Sequence, residues 1–161
     1  MESVQTRAFA GAFLRWQDEV LLIHRGLHKK IAPGLWAGVA GHIEQAEANS
    51  PMAACLREIK EESGILPAQI EQLSLRYFAL CKSPGTIDSI YYFAGVLREK
   101  PVLCQTSEGE LHWIKLQDGI ELEMAPHIKS FYIHWVSNLS DNSLNCFLDS
   151  DIQLLAGNQP K

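Results

Sequence analysis

The sequence predicts an α+β domain, a mixed β-sheet with a helix on each side, on three observations. Strand-sized apolar runs recur along most of the chain, and two helices with apolar stripes interrupt them without strict strand–helix alternation. With 47% hydrophobic against 20% charged residues, the composition is that of a chain with a real core. At 161 residues this reads as a single domain over 1–161, its core over about residues 5–140 and a C-terminal extension after it.

Taken in order, "TRAFAGAFLRW" and "EVLLIHR" are strands of a hairpin, with Asp18 in the turn. The short "WAGVAGHIE" reads as one further strand. "IEQLSLRYFALC", "SIYYFAGVLRE" and "GELHWIKL" follow, several of them rich in the aromatic and β-branched residues that fit a half-buried pleated surface. The first helix is marked at both ends. Ser50 is the expected N-cap, Pro51 takes the first position, where its missing N–H costs nothing, and Gly64 stands just past the end. Met52, Leu56 and Ile59 give this helix an apolar stripe and leave Glu58, Glu61 and Glu62 on another face.

The second helix, "APHIKSFYIHWVSNL", carries Ile128, Phe131, Tyr132 and Trp135 at helical spacing and is expected to pack on the sheet. The same apolar face would serve a dimer, so monomer and homodimer both stay open. From Asp141 the pattern weakens, and "NCFLDSDIQLLA" is either a last strand or a docked extension.

A net charge of -5 and a pI near 5.6 leave no basic footprint for long nucleic acid. A small phosphorylated ligand is still compatible, because a local basic or cation-bearing site can hold it. Cys55, Cys81, Cys104 and Cys146 are widely spaced with no C-x-x-C pair, as expected of reduced, mostly structural thiols in a cytoplasmic protein. Glu2, with no basic segment before an uninterrupted apolar core, speaks against a signal peptide. The longest apolar stretch, "IYYFAGVL", is too short to cross a membrane.

The stretch "REIKEESGI" carries the chemistry. Glu58, Glu61 and Glu62 stand at i, i+3 and i+4, where like charges destabilise a helix by a few tenths of a kcal/mol per pair. A solvated face is the ordinary account of such a run; a hard divalent cation, which takes clustered oxygen ligands, is the other. Arg57 offers a planar guanidinium fork suited to holding a loop carboxylate such as Glu47.

The whole segment "GHIEQAEANSPMAACLREIKEESGI" resembles the signature of the Nudix hydrolases, G-x5-E-x7-R-E-U-x-E-E-x-G-U with U aliphatic. Gly41, Glu47, Arg57, Glu58, Ile59, Glu61, Glu62, Gly64 and Ile65 fill every fixed position. The departure is the spacer "ANSPMAACL", two residues longer than usual. That extra length falls before Ser50 and leaves the helical face intact, but it makes Glu44 a competitor of Glu47. The resemblance implies an α/β/α sandwich, and an enzyme that cleaves a nucleoside diphosphate linked to another group by attack of water on phosphorus.

It further implies that Glu58, Glu61 and Glu62 ligate Mg²⁺ or Mn²⁺, with the Gly41 carbonyl as another oxygen ligand. The catalytic set it suggests is Arg57, Glu58, Glu61 and a loop glutamate, Glu108 in preference to Glu110, as a further carboxylate for metal or water. Around the expected site, Arg25, Lys29 and Lys30 in "RGLHKKIAPGLW" are candidates for phosphate oxygens. Trp36 is core or stacks on a base. His42, beside Gly41, is structural or substrate-proximal rather than a ligand, since the family's metal sites are oxygen-rich.

The signature fixes the reaction better than the substrate. Where ADP-ribose hydrolases carry a characteristic proline, Leu80 and Cys81 stand here, and the additional motifs of coenzyme A and NADH hydrolases are missing. By elimination the chain resembles small members acting on nucleoside triphosphates, including oxidised purine nucleotides, to give the monophosphate and pyrophosphate. ADP-ribose, dinucleoside polyphosphates and nucleotide sugars stay open. So does a nucleotide-sensing module without turnover, against which the complete trio Glu58, Glu61 and Glu62 argues.

Overall fold

The computed structural model describes residues 3–148. Strands β1 (Gln5–Trp16) and β2 (Glu19–Arg25) form the hairpin, with Trp16 opposite Glu19 and Asp18 held by Lys115 at 2.8 Å. There follow β3 (Trp36–Ala37), β4 (Val39–His42), α1 (Pro51–Ser63), β5 (Ile70–Ser83), β6 (Thr86–Leu97), β7 (Gly109–Lys115), α2 (Pro126–Ser137) and β8 (Asn145–Leu148). They build one mixed sheet in the order β3-β2-β1-β6-β5-β8, with β4 also on β1 and β7 also on β2.

The stretch "WAGVAGHIE" departs from the single strand expected of it. The hairpin splays, so β2 pairs with β3 at Ile23 and His24 while β1 pairs with β4 from Phe9 to Ala12. Gly38 lies at the change of partner, where a Cβ would run into the Ala12 carbonyl and the Tyr92 hydroxyl. Only a residue without a side chain lets the chain pass from one neighbour to the other.

One helix packs on each face, as expected. Alternation along β1 supplies both cores. Ala10, Ala12 and Leu14 meet Ala54, Cys55 and Ile59 of α1, while Phe13 and Tyr92 meet Phe131, Tyr132 and Trp135 of α2. The apolar face of α2, which could have served a dimer, is thus spent in the chain's own core. The small side chains of Ala10 and Ala12 bring α1 close to the sheet, and the Cys55 thiol donates to the Gly11 carbonyl at 3.6 Å.

The caps of α1 sit where the sequence puts them. Ser50 Oγ accepts from the Ala53 N–H at 3.3 Å, and Gly64 is left-handed at φ +78°. Of the two accounts of the acidic face, simple solvation does not hold for Glu58 and Glu62, which are only 9% and 5% exposed and turned into the protein, while the Glu61 side chain stays exposed. Of the cysteines, Cys55 is buried, but Cys104 and Cys146 are exposed and do not fit the expected structural role. The start of the tail pairs in parallel with β5 as β8; the rest of "NCFLDSDIQLLA" lies outside the described residues. Among those residues no helix is long and apolar enough to cross a membrane.

Candidate active site

Helix α1 packs against β4, and its Glu58 side chain reaches Gly41. A Cβ on Gly41 would coincide with the Glu58 carboxylate, so the glycine is what lets that side chain lie flat on the strand. Arg57 then organises the acids around it. Its Nε and Nη2 donate to the two Glu47 oxygens at 2.6 and 3.0 Å, its Nη1 donates to Glu58 at 2.6 Å and Glu61 at 3.1 Å, and Nη2 also reaches the His42 carbonyl at 2.9 Å. Glu44 stays exposed at 3.9 Å. The fork therefore takes Glu47, which ends a short 3₁₀ turn, Gln45–Glu47, and also accepts from the Glu44 N–H at 3.1 Å; the longer spacer begins after it, in the turn at residues 48–49 before Ser50.

The electrostatics follow from this packing. The Arg57 hydrogen bonds hold Glu47 below the usual carboxylate range. Burial pushes Glu58 up, with Arg57 opposing and the charges of Glu61 and Glu108 adding to the rise. Glu62 is pushed up to about 8, first by burial and then by Glu58 and Glu108, the Ala40 backbone hydrogen bond opposing. Crowded hard oxygen donors whose charges raise each other's pKa suit a divalent cation, which relieves the repulsion. In this structure protein cations do so instead: Arg57 sits on Glu58 and Glu61, and Glu108 is held by Lys29 at 2.6 Å and Arg25 at 3.8 Å. As the side chains stand, no three acidic, His or Cys groups among the described residues converge on one point.

A cavity of about 840 Å³ opens beside these carboxylates and extends over β1 and β6 to the first turn of α2. Arg25, Lys29 and Lys30 line it, as does Glu108. Glu110 is exposed, 3.4 Å from His112, and does not line it, so the structure separates the two loop glutamates. Trp36 lines the cavity half-buried, stacked on His24 at 4.7 Å. The His42 ring rests on Phe9 at 4.4 Å. Phe9, Arg7, Asp88, Ile90 and His127 also line the cavity and were not singled out by the sequence. The only signal for the four strand residues is the two-residue period that puts Arg7, Phe9 and Gly11, or Asp88, Ile90 and Tyr92, on one face; for His127, on α2, there is none.

The NUDIX domain model matches residues 5–135. The chain belongs to the Nudix family. As a Nudix hydrolase it acts on phosphoric anhydride bonds, in a family that generally uses divalent metals. No curated protein matches it significantly in sequence.

Solved structures share the Nudix fold at low identity. A MutT protein of Bacillus halodurans is 21% identical with a TM-score of 0.71, over 88% of each chain. A MutT protein of Methanosarcina mazei Go1 is 18% identical with a TM-score of 0.68, over 86% of this chain and 98% of that one. The dihydroneopterin triphosphate pyrophosphohydrolase of E. coli is 21% identical with a TM-score of 0.66, over 84% of this chain and 99% of that one.

Arg57→Lys tests the Nudix helix directly. A lysine is a point charge and cannot hold Glu47 in a fork while touching Glu58 and Glu61. The expected result is about 10- to 100-fold weaker Mn²⁺ binding with the fold retained, read by titration of the paramagnetic ion.

Proposed function

We propose that this Nudix hydrolase is a Mg²⁺-dependent nucleoside triphosphate pyrophosphohydrolase that releases the nucleoside monophosphate and pyrophosphate. The observation that carries this reading is a cavity lined both by Glu58, Glu61 and Glu62 and by Arg25, Lys29 and Lys30, which then continues over an apolar floor. A triphosphate needs charge at one end; a nucleoside needs the apolar remainder. The E. coli neighbour, a dihydroneopterin triphosphate pyrophosphohydrolase, agrees with it.

Glu58, Glu61 and Glu62, with the Gly41 carbonyl, would hold the cation, and Mg²⁺ suits a site with few carboxylates. The bound ion supplies neutralisation of phosphate charge and activation of water. Arg57 and Glu47 keep the helical carboxylates in place. Lys29, Lys30 and Arg25 position the phosphates, and Glu108, which lines the cavity, accepts the proton of the attacking water. The bond between the attacked phosphorus and its bridging oxygen breaks, and the bridging oxygen leaves with the electron pair.

The test is a hydrolysis screen with Mg²⁺ or EDTA, products separated by chromatography, over canonical and oxidised nucleoside triphosphates, ADP-ribose, dinucleoside polyphosphates and nucleotide sugars. Triphosphates are expected to be cleaved at least about tenfold faster than the other classes, with activity lost in EDTA and in Glu61→Gln. Preference for another class overturns the substrate, and nucleotide binding without turnover makes the chain a sensing module.

A further inference from the structure

The cavity has a second polar pole, at the end away from the carboxylates. Its floor is made of directly paired positions on the parallel strands β1 and β6: Gly11 with Tyr92, Phe9 with Ile90, and Arg7 with Asp88. Phe9 is also paired with His42 across β4, and the His42 carbonyl is the one bound by Arg57. The floor therefore runs without a break from the charged helix, over Phe9 and Ile90, to the ion pair at the rim.

That pair is a fork of two parallel hydrogen bonds. Arg7 Nε donates to Asp88 Oδ1 and Arg7 Nη2 to Asp88 Oδ2, both at 2.7 Å, with the side chains 33% and 18% exposed. A part-exposed ion pair adds little to a sheet, and β1 and β6 are already in register over eleven pairs. Its position has a different chemical content. The fork fixes both groups, leaves Arg7 Nη1 as a donor, and leaves each Asp88 oxygen a further lone pair as acceptor. A rigid donor beside a rigid acceptor, at the edge of an apolar floor, is complementary to a flat ring whose edge carries an acceptor next to an N–H.

We infer that Phe9 and Ile90 carry the base of the substrate and that the Arg7–Asp88 pair reads its edge, so the base, and not only the phosphates, selects the substrate. The class this end takes is a purine, pyrimidine or pterin ring. A hexose offers hydroxyls and no flat face, and the neutral Arg7–Asp88 pair offers no net positive charge to a further phosphate. The inference rests on the nucleotide reading above and adds the residues that discriminate.

The experiment measures kcat and KM for ATP, GTP, CTP, UTP and the base-free ribose 5-triphosphate, in wild type, Asp88→Asn and Arg7→Gln, with Tm recorded for each. Asp88→Asn turns an acceptor-only group into one that also donates. The expected result is at least a tenfold spread in kcat/KM among bases in the wild type. The variants reorder that ranking, raising KM for the best base about tenfold while its kcat moves less than about threefold, and the base-free triphosphate does not respond. A purely structural pair would lower Tm and shift every substrate alike. That outcome, an unchanged ranking, or a wild type indifferent to the base overturns the inference and leaves the pyrophosphohydrolase reading standing. Should no triphosphate be hydrolysed, that reading falls, and binding of nucleoside monophosphates decides the subsite. Weaker binding in Asp88→Asn then supports it and equal binding overturns it.

Discussion

Glu62→Gln is expected to lower kcat by at least about 10²-fold and, without metal, to make the protein more stable at pH 8. The two effects have one origin. Glu62 is 5% exposed, and burial with the charges of Glu58 and Glu108 lifts its pKa from 4.5 to about 8. The folded chain therefore holds the Glu62 proton more tightly than the unfolded chain does. This contribution to stability is fully present below about pH 4.5 and is lost as pH rises towards 8. At 1.36 kcal/mol per unit, the gap sets an upper bound of roughly 5 kcal/mol. The amide keeps the shape and cannot ionise, so it escapes the loss; it also removes a carboxylate from the proposed cation site, where several kcal/mol of charge stabilisation corresponds to the expected fall in rate. Denaturant unfolding of EDTA-treated wild type and variant from pH 5 to 9 checks the first effect. The wild-type curve should fall away from that of the variant, and Mg²⁺ at pH 8 should restore it. Parallel curves would falsify the account of Glu62.

Gly41→Ala is expected to leave the fold intact and remove most of the activity. The new methyl would occupy the place of the Glu58 carboxylate, the free end of a flexible side chain, which can swing away at small cost. Stability should change by no more than about 1 kcal/mol. Moving Glu58 breaks its 2.6 Å contact with Arg57 and misplaces an oxygen donor, and a displacement near 1 Å at a reacting centre costs about 10²-fold. Thermal unfolding beside kcat/KM and Mn²⁺ affinity separates the two effects. Unchanged kcat/KM in a folded variant would show that Glu58 is not needed where it lies.

What could be read from the sequence was local. The bounds of α1 follow from Ser50, Pro51 and Gly64 because capping is chemistry within one turn. The fork of Arg57 on Glu47 was accessible for a similar reason, being closed within ten residues by a short turn. The division of "WAGVAGHIE" was not, since it depends on Ala12 and Tyr92 crowding Gly38 from other strands. Nor was the burial of Glu58 and Glu62, which a charge run does not reveal and which depends on the closeness of α1 to β1. Arg7 and Asp88 are ordinary residues until β1 and β6 align, 81 positions apart. Lys29 and Glu108 meet over a separation of 79.

The parallel pairing of β1 with β6 also bears on the order of events at the ribosome. The first strand made needs a partner that ends at Leu97, so β1 waits for more than half of the chain before its eleven register pairs can close. Helix α1, complete at Ser63, emerges earlier and is bounded by its own caps. A nascent chain thus holds the acidic helix before it holds the floor beneath the base, and pairing across such a separation is slow because loop closure precedes any gain from contacts. Chains arrested between Ile65 and Leu97 carry every residue of the signature and no complete cleft, with β1 not yet paired to β6 and open to chaperones and proteases during the wait.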